Sequence, residues 1–162
     1  MVLTTGRTVY QFHTRTKTGR APQLNDAAPD VWVELNPSDA ERLGIGEGDL
    51  VGISSARGGI QARARLCGIR PGVVFVPFHY GWFDQDPADR TPRAANELTV
   101  TAWDPVSKQP IFKVAAVSVA KLADSGGVLS PAPKVGGSEP PPDADVPPTV
   151  GGPAAHATSG KE

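Results

Sequence analysis

The chain has a single cysteine, Cys67. That excludes an internal disulfide and any metal or iron–sulfur site built from several thiolates. Long apolar runs are also missing. Nothing approaches the ~18 residues of a membrane-spanning helix, and the first residues lack the charged-then-apolar pattern of a secretory signal. These absences lead us to expect a protein of the cytoplasm that does not enter a membrane. A net charge of −1 supplies no field for a nucleic-acid polymer. His13, His79 and His156 are spread along the sequence without HExxH or paired-cysteine spacing, so no zinc site is expected. A Gly-x-Ser-x-Gly turn for a nucleophilic serine is absent, as is a P-loop. Gly44-x-Gly46-x-Gly48 follows a helical pattern, the wrong context for a dinucleotide fold.

What the chain has in excess is proline and glycine, unevenly placed. Residues 124–162 hold eight prolines and seven glycines and no aromatic side chain. Such a segment cannot bury enough apolar surface to offset its ordering entropy. We therefore expect a globular domain over residues 3–122 and a Pro/Gly-rich disordered tail over 123–162. The domain is long enough for one core.

Acids are missing from one stretch altogether. Residues 1–25 contain Arg7, Arg15, Lys17 and Arg20 but no Asp or Glu, and residues 4–18 hold six threonines. Hydroxyls and fixed cations without intervening carboxylates make a surface suited to a small anionic ligand. A solvated, β-prone edge segment accounts for the same composition.

The element pattern is mostly β. Strands are expected over Leu3–Arg7, Val31–Leu35, Leu50–Ser55, Ile60–Leu66, Val73–Phe78 and Ile111–Val119. One short helix lies between Asn36 as N-cap, with Pro37 at its first position, and Gly44 as its left-handed end. Short strands, frequent Gly/Pro turns and so little helix point to a closed barrel. The Gly48-Asp49 pair fits, since the glycine admits a left-handed backbone and the carboxylate can satisfy amides of a neighbouring loop. Cys67, at a strand end, is expected to be a small buried hydrophobe. Trp82, Phe83 and Trp103 fall in loops, where they either line a pocket or pack a loop onto the barrel.

Several strings occur in a fixed order: Thr5-Gly6-Arg7-Thr8-Val9-Tyr10-Gln11-Phe12-His13-Thr14-Arg15-Thr16-Lys17-Thr18, then Asn36-Pro37-x-Asp39-Ala40-x-Arg42-Leu43-Gly44-Ile45 and Gly48-Asp49-x-Val51. Pro71-Gly72-Val73-Val74-Phe75-Val76-Pro77-Phe78-His79 follows, and then Ala95-Asn96-x-Leu98-Thr99, Asp104-Pro105-x-Ser107-Lys108 and Phe112-Lys113. Over residues 3–121 this set resembles the C-terminal molybdopterin-dinucleotide-binding domain of the molybdenum bis(pterin dinucleotide) oxidoreductases. The formate dehydrogenase and bacterial nitrate reductase branches are the most similar. The resemblance implies a double-psi β-barrel that grips a molybdopterin guanine dinucleotide (Mo-bis-MGD) shared with a partner. That partner is a large catalytic subunit or the missing upstream domains that would supply the molybdenum ligand. By position, Thr5, Gly6, Arg7, His13, Thr14 and Thr16 would contact the cofactor. Asn96 would hydrogen-bond it, Lys113 would supply a cation, and Phe78 would lie near the pterin. On this reading the chain binds and orients the cofactor and is not catalytic alone. The alternative is a non-catalytic barrel of the same fold acting as a protein-interaction or substrate-recruiting module. The loop over residues 80–94 is longer than the minimal family pattern, so no substrate role is assigned to it, and the tail has no counterpart in that pattern.

Overall fold

The computed structural model describes residues 1–81, 88–89 and 91–123. Trp82, Phe83, His156 and residues 124–162 of the expected disordered tail lie outside the described residues. Among the described residues seven strands form one sheet: β1 (Val2–Gly6), β2 (Trp32–Leu35), β3 (Leu50–Ser54), β4 (Gly59–Leu66), β5 (Val73–Pro77), β6 (Val114–Ala116) and β7 (Ser118–Lys121). Their order across the sheet is β6-β1-β5-β2-β4-β3-β7. β1 runs parallel to β5, and β2 parallel to β4. The class is the expected one, a mostly β double-psi barrel with short helices.

Alternation decides which face is buried. In β4, Ile60, Ala62 and Ala64 are buried while Gln61, Arg63 and Arg65 are partly exposed, as a strand with period two requires. Leu3, Val33, Leu35, Val51, Ile53, Val74 and Val76 join them in a single core. Opposite Arg65, its register partner Glu34 takes an ion pair at 3.4 Å.

The sheet closes through its last segment. The expected single strand over Ile111–Val119 is instead two strands, β6 on β1 and β7 on β3, interrupted only at Val117. Val117 is itself tied to Met1, donating its amide to the Met1 carbonyl at 3.0 Å and accepting from the Met1 amine at 2.7 Å. One run of eight residues therefore occupies both edges of the sheet. Residues 111–113 precede β6, because the Thr5 hydroxyl and amide hold the carbonyls of Phe112 and Lys113 at 2.7 and 3.3 Å.

Among the described residues two α-helices form, where the sequence pattern marks one. α2 (Pro37–Leu43) has the anticipated ends: the Asn36 side chain accepts the Ser38 amide at 2.9 Å, and Gly44 is left-handed at φ 65°. α1 (Pro22–Ala27) buries none of its residues and has no side-chain cap, so no apolar stripe announces it. Gly48 is left-handed at φ 77°, as expected. Asp49 serves its own turn, accepting the Gly46 amide at 2.6 Å and pairing with Lys121 at 2.6 Å.

α2 is pinned to the sheet by Asp39, which accepts the Gly72 amide at 2.6 Å and Arg42 at 2.7 Å. These bonds, the amide first and then Arg42, hold its carboxyl below the ordinary 3.8. Stability from a depressed carboxyl is present above the unfolded value and lost as pH falls through the folded one. Thermal melts from pH 5 to pH 2 should therefore show a steeper fall in Tm for the parent than for Asp39→Asn. Equal slopes would show that Asp39 carries none of the acid sensitivity.

Candidate functional site

Distant stretches of chain converge at one end of the barrel. The register of β1 against β5 ends at Gly6 opposite Pro77, so the two parallel strands release Arg7 and Phe78 side by side. Gly6 is needed there, since a Cβ would come within 2.7 Å of the Phe75 ring. His13 and Thr14 arrive from the loop after β1, Asn96 from a 3-10 turn (Ala95–Leu98), and Phe112 and Lys113 from the approach to β6. Together these side chains line a groove of about 400 Å³. A second hollow of about 440 Å³ adjoins it across Asn96 and Phe112 and contains Arg57 and Trp103.

The groove carries cations and donors over an aromatic floor. The Lys113 ammonium stands 4.6 Å from the Phe78 ring centre and 5.1 Å from that of Phe112. His13 meets Phe78 at 6.5 Å between ring centres. Among the described residues, none lining the groove is a carboxylate, and neither Arg7 nor Lys113 has an ion pair. The Asn96 carboxamide makes no hydrogen bond among the described residues and remains available.

Six of the nine residues assigned by resemblance thus come together: Arg7, His13, Thr14, Phe78, Asn96 and Lys113. Three do not line the groove. Thr5 is buried and spends its hydroxyl on the Phe112 carbonyl, Gly6 lies beneath against Phe75, and Thr16 pairs with Thr14 at 3.0 Å between hydroxyl oxygens. Lys113 is exposed and lies just before β6, not within the strand expected over Ile111–Val119.

The basic stretch divides by role. Arg15 is buried, with its guanidinium 4.8 Å from the Tyr80 ring centre and bonded to Asn25 Oδ1 at 3.0 Å. Gln11 is buried beside it and bonds both Asn25 and Thr18, so these polar side chains knit the loop to α1. His13 and Arg15 hold left-handed backbone at φ 47° and 65°, a strain of order 1–3 kcal/mol each that this network sustains.

Sequence reasoning missed two residues. Phe112 lines the groove, and its place in the Phe-Lys pair was the only signal. The sequence offers His79 only as a metal-ligand candidate. It is fully buried directly after Phe78, with Nε2 accepting the Thr8 amide at 2.8 Å and Nδ1 facing the His13 carbonyl. Burial pushes its imidazole below the ordinary value, the His13 carbonyl opposes that, and electrostatic repulsion from Arg15, His13 and Arg7 reinforces it. Cys67 is partly buried, and its thiol faces Glu34 Oε2 at 3.7 Å. Desolvation raises its pKa above 9.0.

Fold and groove together define a class: a β-barrel that presents an acid-free, cation-rimmed, aromatic-floored groove to a small ligand. The chain belongs to the family described as Molydopterin dinucleotide binding domain, whose profile matches residues 1–116. It is 41% identical over 122 residues to the F420-dependent formate dehydrogenase subunit alpha of Methanocaldococcus jannaschii, covering 75% of this chain and 17% of that protein. It is 43% identical over 122 residues to the nitrate reductase of Symbiobacterium thermophilum, covering 74% and 15%. The chain therefore spans about a sixth of the length of these relatives. Among solved structures, acetylene hydratase from Pelobacter acetylenicus shares the fold, with a TM-score of 0.64 at 18% identity over 75% of this chain and 18% of that one.

Proposed function

We propose that the chain binds and orients a molybdopterin guanine dinucleotide shared with a larger catalytic chain of the formate dehydrogenase or nitrate reductase type. The observation that carries this reading is the donor set of the groove, which has cations, a hydroxyl and a carboxamide but no acid among its described lining residues. A pyrophosphate-bearing heterocycle requires that chemistry: fixed positive charge for the phosphates, an amide that donates and accepts for the ring edge, and apolar faces for the ring. Arg7, Thr14 and Lys113 would hold the anionic part and Asn96 the heterocyclic edge, with Phe78 as a flat neighbour. Thr5 and Gly6 would support them from beneath, and Thr16 through Thr14. When bound, the molybdenum–pterin group supplies the redox chemistry, while the residues of this chain position it and exclude water on one face.

A partner is part of the proposal. The segment from Val100 to Ile111 exposes Val100, Trp103, Val106 and Ile111, and Val100 and Trp103 line the hollow that adjoins the groove. It is held in shape by Asp104, which accepts from the Val106 and Ser107 amides at 3.0 and 2.7 Å. A shaped apolar protrusion next to a cofactor groove suits contact with the chain that completes the site. For the compartment we propose the cytoplasm. Among the described residues, no helix is long and apolar enough to cross a membrane.

Asn96→Ala and Lys113→Ala should each weaken binding of the pterin dinucleotide. Loss of a bond to a charged group costs roughly 1.5–3 kcal/mol, about tenfold or more in affinity. Equilibrium binding with unchanged melting curves is the check. Parent-like affinity in both variants would shift the balance to the protein-interaction module.

A further inference from the structure

We propose that His79 is the positioning residue of the groove: its imidazole clamps both ends of the loop from Thr8 to His13, sets Arg7 and Thr14 in place on either side, and makes the ligand grip sensitive to acid. The inference rests on the ligand reading above for the grip, but not for the clamp.

The geometry admits one protonation state. The Thr8 amide can only donate, and it points at Nε2, so Nε2 carries no proton. The proton of the neutral ring is then on Nδ1, where it donates to the His13 carbonyl. One uncharged side chain thus satisfies two backbone groups five residues apart. Arg7 and Thr14, the residues flanking those two points, both line the groove. The clamp adds to the polar network of the loop in holding His13 in its left-handed conformation at φ 47°, since it fixes the His13 carbonyl.

Protonation would put a second N–H at Nε2, facing the Thr8 N–H, and remove that acceptor. The surroundings resist it. His79 has no exposure; its ring packs 5.0 Å from Phe78 and 6.4 Å from Tyr80 between centres. The charged or titratable groups facing it are Arg15, His13, Arg7 and Tyr80, and no carboxylate among the described residues is there to stabilise an imidazolium. The folded protein therefore holds the neutral form at pH 7. As pH falls below the ordinary value of 6.5, binding a proton increasingly favours any state in which the clamp is open.

The test uses the full chain, guanosine 5′-diphosphate as probe, and two variants. His79→Gln keeps one donor and one acceptor at similar spacing but does not titrate; His79→Phe keeps the ring volume and loses both bonds. The parent should bind the probe as well as His79→Gln at pH 8 and about tenfold more weakly than it at pH 5, the loss of roughly one hydrogen-bonded anchor. Comparing the two at each pH cancels titration of the diphosphate itself. His79→Phe should bind about tenfold more weakly than the parent at pH 8. A parent-to-Gln ratio that stays constant with pH, or parent-like binding by His79→Phe, overturns the proposal. A second measurement needs no ligand: nitrogen NMR should show His79 as the Nδ1–H tautomer, with the Thr8 amide resonance moving in step with its protonation. The opposite tautomer also overturns the clamp. Clamp behaviour by NMR without probe binding at any pH would support the clamp and count against the pterin-dinucleotide reading.

Discussion

Trp32→Ala is expected to lower the unfolding free energy by about 3–5 kcal/mol, measured by urea unfolding monitored by circular dichroism. Trp32 is 1% exposed in the middle of the sheet, on a strand that pairs with β4 on one side and β5 on the other. Its truncation leaves a cavity that neighbours held by two ladders cannot fill. A single domain has only about 5–15 kcal/mol in total, so the variant should lie near the limit of folding. The damage should reach the groove. The Trp32 ring meets Tyr80 at 6.2 Å between centres, and Tyr80 in turn underlies Arg15 and is anchored by its hydroxyl to the Ala28 carbonyl at 2.9 Å. Trp32→Phe, which keeps most of the volume, should cost much less. A loss under about 1 kcal/mol for Trp32→Ala would mean that the core collapses around the gap.

The second large effect is all-or-none. The chain alone, supplied with cofactor, is expected to turn over neither formate nor nitrate, and activity is expected only when a large catalytic chain lacking its own barrel is added. Redox turnover requires a metal closed by a protein ligand and an electron route to an acceptor. Cys67, the sole thiol, follows the end of β4, where it is partly buried, faces Glu34 and does not line the groove. Cys67→Ser should therefore leave the reconstituted rate unchanged. Turnover by the unaccompanied parent that vanishes in Cys67→Ser would make the thiol a ligand and refute the binding role.

Much of the barrel is legible in the sequence, for local reasons. β3 and β5 are short β-branched runs bounded by Gly or Pro turns, β4 alternates apolar with polar residues, and α2 carries its own cap residues. The misreadings are non-local. Val114 to Lys121 has one continuous strand pattern, and nothing within it says that its first half pairs with β1 and its second with β3. α1 has no buried face to betray it. In the site, the acid-free opening marks where a ligand would fit, but only family resemblance links it to Asn96 and Lys113. The basic residues of that opening look alike in sequence, yet Arg7 is exposed at the groove while Arg15 is buried against Tyr80. The role of His79 could not be read, because its partners are backbone atoms of Thr8 and His13, which leave no trace in side-chain pattern.

The join at Val117 also bears on how the molecule behaves at high concentration. A strand with unpaired amides and carbonyls along one side is a template for a strand from another copy, the first step of edge-to-edge aggregation. Here β1 and β3, the strands that would otherwise border the sheet, are each covered by part of the same eight-residue run. What is left open belongs to strands of three and four residues, the second ending in Lys121. Such stubs are too short, and at Lys121 too charged, to seed a growing ladder. The device that closes the barrel thus also keeps neighbouring copies from adding to it.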